Sequence, residues 1–489
     1  MGSSVQAAAT RTGARHLKPR FDLRTVDLRA AGLPALAGGL LLALVVAWCL
    51  MRLVPAFQSP DENVHLLRAD MIAHGQWTLR KDEPDEVGNQ GGYVDRNFMA
   101  FTSRMRVLSG TERDYTASAS ALMAHASGER WAHKDMFVNA VGTGYYAPFI
   151  YLPHALGLRA ARALDLSMRA SYELTRLLVA ATALGLIAWA WRLFTPNLLV
   201  RALVLMPMAL FQIISPTIDG LSIAAALLLA ALFSVRCMAP RGDANPLQEY
   251  ALYACTFLLV TSRVNLAPLL LLPLWLLVRR FSAAHLLAWI ALCAACAGWT
   301  LYGIATTADA RLVRNHATIE ILAIYLQDPL GFARLVLGTL LDGDTGYFYA
   351  YSFVGMMGWL DAAVTKDAMK AVWCGLAVAL VATIGSARWR WRDAAARALL
   401  LFVALASCVL VFLALAISWN DYPVAIISGV QGRYFIVPAL LGATALGPMG
   451  QAASPTHRTV ANVLTATFAL ASLYIMATTL SERYALRLL

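Results

Sequence analysis

Apolar residues run almost end to end through this chain, in blocks that leave no room for a conventional water-soluble core. A bilayer core of about 30 Å takes roughly 20 apolar residues in a helix. Blocks of that order recur at 33–54, 172–191, 198–216, 219–238, 283–305, 369–387, 396–418 and 459–480, with shorter ones at 248–262, 264–278 and 434–450. Of the 489 residues, 59% are hydrophobic and only 14% charged, where soluble domains carry about 25% charged residues. A soluble enzyme, a disordered chain and a disulfide scaffold are thereby excluded. The reading is an all-α polytopic membrane protein of about 11–13 transmembrane helices. A basic segment 1–32 comes first, then a first transmembrane helix 33–54, a large loop 55–145 carrying amphipathic helices, and a helical body 146–489 with short loops.

Charge orients the body. The first 32 residues hold six Lys/Arg against two Asp; with that basic stretch ahead of it, 33–54 reads as a span rather than a cleaved signal peptide. Further arginines mark loops at 192 and 201, 236 and 241, 279 and 280, and 388, 390, 392 and 397. Placing these in the cytoplasm satisfies the positive-inside rule, and the net charge of +11 then reports loops rather than a nucleic-acid partner. The connections 56–145, 215–220, 262–265, 306–368 and 419–433 fall outside, and they hold nearly every polar residue of interest. Residues 145–158 are apolar but too short to span, and with two prolines they read as a half-inserted element. Were this segment to span, Arg388-Trp389-Arg390-Trp391-Arg392 would invert to the outside. The stretch 330–360 reads as a second such element. The seven cysteines lie in apolar blocks, and Cys293-Ala-Ala-Cys296 reads as packing rather than redox or zinc chemistry.

The 56–145 loop opens Ser59-Pro60-Asp61-Glu62-Asn63-Val64-His65-Leu66-Leu67-Arg68. Ser59 reads as an N-cap, Pro60 as the first helical residue and Glu62 as the acid of a capping box, with Gly75 as the stop. Val64, Leu67, Met71 and Ile72 form a stripe, which predicts an amphipathic helix on the outer membrane surface. Asp61, His65 and Arg68 share a face. A carboxylate there is suited to accept a proton from a hydroxyl; the competing reading has Glu62 capping and Asp61 complementing the helix dipole. His125, His133 and Asp135 match no standard metal spacing.

Other outside points are Asp219, which either faces a cavity or caps a helix, and Arg263 with Asn265 between two short spans. Arg263 either snorkels to headgroups or binds a phosphate. Arg433, in Gln431-Gly432-Arg433-Tyr434, lies outside against the charge trend, which favours phosphate binding. Asp344, Tyr347, Trp359 and Asp361 add a surface suited to carbohydrate or headgroups.

The run Ser59 to Ala69 resembles the P-D-E-x-x-H-x-x-R-A motif of a family of bacterial membrane proteins. That family is similar to glycosyltransferases of the GT-C fold, as are the protein O-mannosyltransferases and the aminoarabinose transferases of lipid A. Tyr145-Tyr146-Ala147-Pro148, Tyr151-Leu152-Pro153, Ser215 to Asp219, Gly358-Trp359-Leu360-Asp361 and Gln431-Gly432-Arg433-Tyr434 extend the resemblance over about residues 59–438. It implies a GT-C-like body in the bacterial inner membrane, multi-pass, with its active site at the periplasmic face. The implied donor is a sugar on a polyprenyl phosphate. Asp61 is the implied base of an inverting transfer, with Glu62 second. A lysine that aminoarabinose transferases carry before the half-inserted segment has no counterpart, Gly144 and Tyr145 standing nearby, so Arg263 and Arg433 take over the phosphate. His65, Arg68, Tyr146, Asp219, Asn265, Gln431 and Tyr434 complete the expected substrate site. A divalent metal is compatible with this chemistry but not required, and no other cofactor is expected. The expected partners are the lipid-linked donor, a glycan or glycolipid acceptor and the bilayer. A transporter or flippase, or a polymerase or ligase, for lipid-linked glycans is the alternative.

Overall fold

A computed structural model describes residues 33–82, 88–109, 119–140, 142–240, 245–307, 314–387, 391–448 and 455–484. The basic segment 1–32 and Arg241, Arg388, Trp389 and Arg390 lie outside the described residues, and so does that part of the charge reading.

The protein is an all-helical membrane protein with two small two-stranded sheets. Among the described residues six helices are long and apolar enough to cross a bilayer, Met168–Leu193, Ile218–Met238, Ala283–Thr306, Lys366–Ser386, Asp393–Ser418 and Thr456–Tyr484, or seven if the bent pair Thr318–Gln327 and Pro329–Leu341 is one span. The other expected spans are shorter or broken: Leu36–Met51, Val264–Arg279 and Gly432–Leu446 are apolar but fall below that length. Pro207 lacks an amide proton and forces Met206 into an extended conformation, so 198–214 divides into Leu198–Leu205 and Pro207–Ile214. The blocks at 264–279 and 432–446 each begin as 3-10 helix, Val264–Leu270 with Pro268 inside it and Gly432–Phe435. Ile218–Met238 sits at the centre, its apolar window 89% buried. A helix apolar on every side belongs in such a position.

Side-chain ties at the helix ends sort the body into two poles. At the loop pole, Arg52 pairs with Glu173 at 3.1 Å, and Arg176 donates to the carbonyls of Met51, Val54 and Ile214. Asn89 N–H reaches Thr306 C=O at 2.6 Å there, and Arg483 reaches Leu108 C=O and Asp361. At the opposite, arginine-rich pole, Arg236, Arg280 and His285 gather on Glu249. Asn197 Nδ2 donates to Ala443 C=O at the same pole.

Residues 145–164 do not cross. A 3-10 turn Pro148–Tyr151 leads into Leu152–Ala163, and both ends meet the one helix Glu62–Ala73: Tyr151 at His65, Arg162 at Asp70. The 306–368 connection likewise leaves and returns at the loop pole. It contains Thr318–Gln327 and Pro329–Leu341, bent at 102°, followed by Gly343–Val354.

One expectation fails. Glu62–Ala73 is no surface helix: none of its residues is exposed, and His65, Leu66, Arg68, Asp70 and Met71 are all buried. The strand Gly91–Asp95, itself paired antiparallel with Asp135–Asn139, and the helix Leu152–Ala163 help to cover it. Most of its polar groups find partners inside the protein, Asn63 Oδ1 and Arg68 Nε being exceptions among the described residues. Arg68 donates to Gln76 C=O at 3.0 Å and Trp77 C=O at 2.5 Å, while Asp70 pairs with Arg162 at 3.0 Å. A stripe pattern registers where apolar residues sit, but not whether buried ion pairs cover the opposite face.

Candidate active site

The turn 56–62 is wound onto Glu62. The Glu62 carboxylate, 1% exposed, accepts from Phe57 N–H at 2.9 Å, Ser59 N–H at 2.9 Å and the Tyr172 hydroxyl at 2.6 Å. The bond to Ser59 is the reach-back half of the predicted capping box, yet the helix starts two residues later than expected, at Glu62. Burial raises the Glu62 pKa above its ordinary value, with Arg176 opposing. Trp359 Nε1 donates to Phe57 C=O at 2.8 Å and pins the same turn from the far side.

Asp61 occupies the N-cap position in the left-handed region, at φ 62°, and its side chain makes no capping bond. That conformation is uncommon outside glycine, though Asp and Asn tolerate it best. Strain of this kind, of order 1–3 kcal/mol, gathers at functional positions. Its effect here is to turn the carboxylate, 50% exposed, away from the helix and toward Arg433, whose Nη2 lies 3.5 Å from Oδ2.

Four charges alternate from that point. Arg433 Nε stands 3.7 Å from Asp219 Oδ2, and Asp219 Oδ1 accepts from Arg263 Nη2. The Tyr434 ring lies beneath both guanidiniums, at 5.3 Å from Arg433 and 5.6 Å from Arg263. Asp219 comes from the first turn of Ile218–Met238, Arg263 from the C-cap of Pro246–Ser262, and Arg433 from the head of the 432–446 segment. The group therefore sits where three apolar helices end at the loop pole, with Asp61 presented from the loop. The Arg433 side chain is only 4% exposed, and its Nε and Nη1 have no hydrogen-bond acceptor among the described residues. A buried guanidinium with free N–H groups is suited to phosphate oxygens.

Beside it runs a wall of rings. The His65 ring lies tilted at 5.8 Å from that of Tyr146, and its Nδ1 meets the Tyr151 hydroxyl at 2.8 Å. Burial drives the His65 pKa well below its ordinary value, and Arg263, His154 and Arg433 push it the same way. His65 is thus a neutral group among cations. Tyr146, partly buried, lies within electrostatic reach of Arg263, Tyr434, Asp61 and Arg433.

Of the residues expected here, Asp61, His65, Tyr146, Asp219, Arg263, Arg433 and Tyr434 come together. Glu62 is turned away into the Phe57 turn, and Arg68 is spent on the Gln76 and Trp77 carbonyls. Asn265 is half-buried in the following 3-10 turn and adds no hydrogen bond to the group. The Gln431 backbone carbonyl accepts from Tyr434 N–H at the start of the Arg433 turn, and its side-chain Oε1 is buried without a partner among the described residues. Trp359 and Asp361 are not an open sugar surface, since Trp359 holds Phe57 and Asp361 pairs with Arg483 at 2.6 Å. Among the described residues no three His, Cys, Asp or Glu side chains gather as a metal site, and His125, His133 and Asp135 form no such group. Sequence reading missed Tyr172 and gave Tyr151 no role beyond its place in the Tyr151-Leu152-Pro153 match, because their bonds to Glu62 and His65 are long-range and leave no local signature.

Two glycines set the approach. A Cβ on Gly432 would lie 2.2 Å from Tyr349 C=O and 2.3 Å from Phe353 N, and Gly432 N–H donates to Ser352 Oγ at 2.8 Å. A Cβ on Gly220, next to Asp219, would lie 2.4 Å from Gln212 C=O. Only glycine permits backbones this close.

A comparison with solved structures gives the crystal structure of ArnT from Cupriavidus metallidurans bound to undecaprenyl phosphate, at 13% identity and a TM-score of 0.39 over 94% of this chain and 76% of that one. No curated protein matches the sequence. The family model described as predicted membrane protein DUF2142 matches residues 42–442. With most of its length matched, including the whole Asp61–Arg433 group, the chain belongs to the DUF2142 family of membrane proteins.

Proposed function

We propose that this protein is a GT-C-type glycosyltransferase of the bacterial inner membrane. It takes a sugar from a polyprenyl-phosphate donor and passes it to a cell-envelope glycan or lipid at the periplasmic face, with inversion. The observation that carries this reading is the uncapped, half-exposed Asp61 carboxylate held 3.5 Å from the buried Arg433 guanidinium. The sequence resemblance of the Pro60-Asp61-Glu62 run supports it.

The chemistry follows from the charge ladder. An acceptor hydroxyl attacks the anomeric carbon, its proton passes to Asp61, and the bond from that carbon to the phosphate oxygen breaks. The leaving polyprenyl phosphate gains one negative charge as Asp61 loses one. Arg433, released from Asp61, transfers its pairing to the phosphate, so the net charge of the pocket does not change during transfer. Asp219 keeps both arginines in place throughout. Tyr146 and neutral His65 line the side from which a sugar ring would be gripped. Glu62 and Tyr172 act as positioning residues, because they hold the turn that aims Asp61.

The test places the full-length protein in liposomes with a polyprenyl-phosphate donor labelled in the sugar, together with an envelope extract as acceptor. Label leaving the lipid for an acceptor, and failing to do so with Asp61→Asn, supports the reading. Labelled lipid crossing the bilayer with its sugar still attached would instead make the protein a transporter.

A further inference from the structure

We propose that the Gly358-Trp359-Leu360-Asp361 turn, backed by Arg483 of the last helix, is a strap that aims Asp61, with Trp359, Asp361 and Arg483 as positioning residues for the base. The base role of Asp61 rests on the glycosyltransferase reading; the strap's hold on the 56–62 turn does not. The 358–361 turn closes a short hairpin in which Met356–Met357 pairs with Ala362–Ala363. Gly358 and Leu360 are both left-handed, at φ 64°, and a Cβ on Gly358 would lie 2.2 Å from Asp361 Oδ1. Asp361 Oδ1 accepts from Trp359 N–H at 2.9 Å, and Oδ2 accepts from Arg483 Nη2 at 2.6 Å. Arg483 stands in the last turn of Thr456–Tyr484, and the same Nη2 reaches Leu108 C=O at 2.8 Å. The strap thus runs from the last helix through Asp361 to the Trp359 indole, which ends on Phe57 C=O at 2.8 Å.

Phe57 needs such a hold. It is left-handed, at φ 60°, which is an outlier for a bulky side chain. Backbone of this kind persists only where the surroundings over-determine it. Here the buried ring packs against Phe98, Phe101 and Tyr172, the N–H goes to Glu62 at 2.9 Å, and the C=O takes the Trp359 indole. Asp61, four residues on, is left-handed as well, and its carboxylate makes no bond to its own helix. Its aim at Arg433 is therefore set by the backbone of the turn. Glu62 ties that turn from within and Trp359 from the opposite side. Packing alone asks for no more than an apolar ring at position 359. A largely enclosed ion pair and a series of directed hydrogen bonds, ending on a strained residue of the Asp61 turn, fix orientation as well.

The experiment uses Trp359→Phe, which keeps a ring and removes the donor. Hydrogen exchange read by mass spectrometry, and transfer from a sugar-labelled polyprenyl-phosphate donor, are measured on the same full-length protein in nanodiscs. Exchange over residues 56–62 is expected to rise about tenfold, with Gly91–Asp95 unchanged. The rate constant kcat should fall at least about tenfold while the donor KM stays within about twofold, since a misaimed base costs chemistry rather than binding. If Trp359→Phe does not fold, Arg483→Lys and Arg483→Met give the comparison: lysine keeps a cation for Asp361 and should stay near wild type, whereas methionine should open the turn. Unchanged exchange over 56–62 in Trp359→Phe, or equal exchange in the two Arg483 variants, overturns the strap. Faster exchange with kcat intact overturns the positioning role. Absence of transfer by the wild-type protein would count against the glycosyltransferase reading instead, and exchange would still decide whether the strap holds the turn.

Discussion

Asp61 and Arg433 meet at 3.5 Å with unequal surroundings, the carboxylate half exposed and the guanidinium almost wholly enclosed. At an effective dielectric of about 20 such a pair attracts by on the order of 4 kcal/mol, less what water around the carboxylate screens away. The asymmetry gives the pair a direction. Asp61 stays reachable by an incoming hydroxyl, while Arg433 stays dry enough to favour any anion that replaces Asp61. Arg433 also keeps its second carboxylate, Asp219, at 3.7 Å, so protonation of Asp61 leaves it anchored rather than adrift.

Asp61→Asn is therefore expected to remove transfer and spare the fold. The amide cannot take a proton, and general-base catalysis is worth about 10²- to 10⁴-fold. Asparagine tolerates the left-handed backbone at this position, and no capping bond is lost. Sugar transfer and the thermal midpoint, measured on the same preparation, separate the two effects. A large drop in midpoint with transfer intact would assign Asp61 to structure.

The two arginines should respond differently to lysine. Arg263→Lys keeps a cation beside Asp219 and is expected to weaken transfer only mildly. Arg433→Lys removes the Nε and Nη1 groups that lack acceptors in the protein, and a loss beyond about tenfold is expected because lysine offers no fork to phosphate oxygens. If Arg433 meets the leaving group, the loss falls on kcat more than on KM. The reverse ranking of the two variants would move the phosphate to Arg263.

Much of this arrangement was readable from particular residues. Gly75 ends its helix with φ 81° as expected, and Arg433 stood out as a cation on the wrong side of the charge trend. Asp61 and Glu62 could be told apart only by three dimensions. Adjacent in sequence and alike in chemistry, they diverge because a left-handed residue turns one outward while the other fills a cage of amides and a distant tyrosine. The surface-helix expectation failed for a related reason: Arg68 and Asp70 look solvated by composition, and their partners, the Gln76 and Trp77 carbonyls and Arg162, are placed by tertiary packing. The breaks at Pro207 and Pro268 fall inside blocks, 198–216 and 264–278, that read as continuous in the sequence, and the 102° bend between Gln327 and Pro329 was not foreseen either.

Stability should respond to pH through Glu62 and His65, with opposite signs. The Glu62 carboxyl has a higher pKa folded than unfolded, so its contribution is complete below the ordinary glutamate value of 4.5 and is lost as pH rises through the folded value. For His65 the folded pKa lies lower than 6.5, so its contribution is complete above that and is lost as pH falls. Glu62→Gln is expected to lower the thermal midpoint overall, since an amide cannot accept from Phe57, Ser59 and Tyr172 together. It should also abolish the decline on the alkaline side of the glutamate range. A decline that persists unchanged in the variant would mean that Glu62 is not its source.

Gly432→Ala tests whether the Arg433 position depends on backbone contact. The new methyl would sit 2.2 Å from Tyr349 C=O and 2.3 Å from Phe353 N, both backbone atoms of the helix Gly343–Val354. Neither can rotate away as a side chain tip would, so the helix or the 431–434 turn must move. Overpacking of this kind costs about 1–3 kcal/mol. The bond from Gly432 N–H to Ser352 Oγ ties the turn to that helix, and a shift of the turn carries Arg433 with it away from Asp61 and Asp219. Misplacement by about 1 Å can cost a hundredfold in rate. The variant is expected to fold with a lowered midpoint and to lose transfer out of proportion to that loss. Ser352→Ala, which removes the tie without adding bulk, should lose far less; equal losses in both would show that the hydrogen bond, and not the close approach, places the arginine.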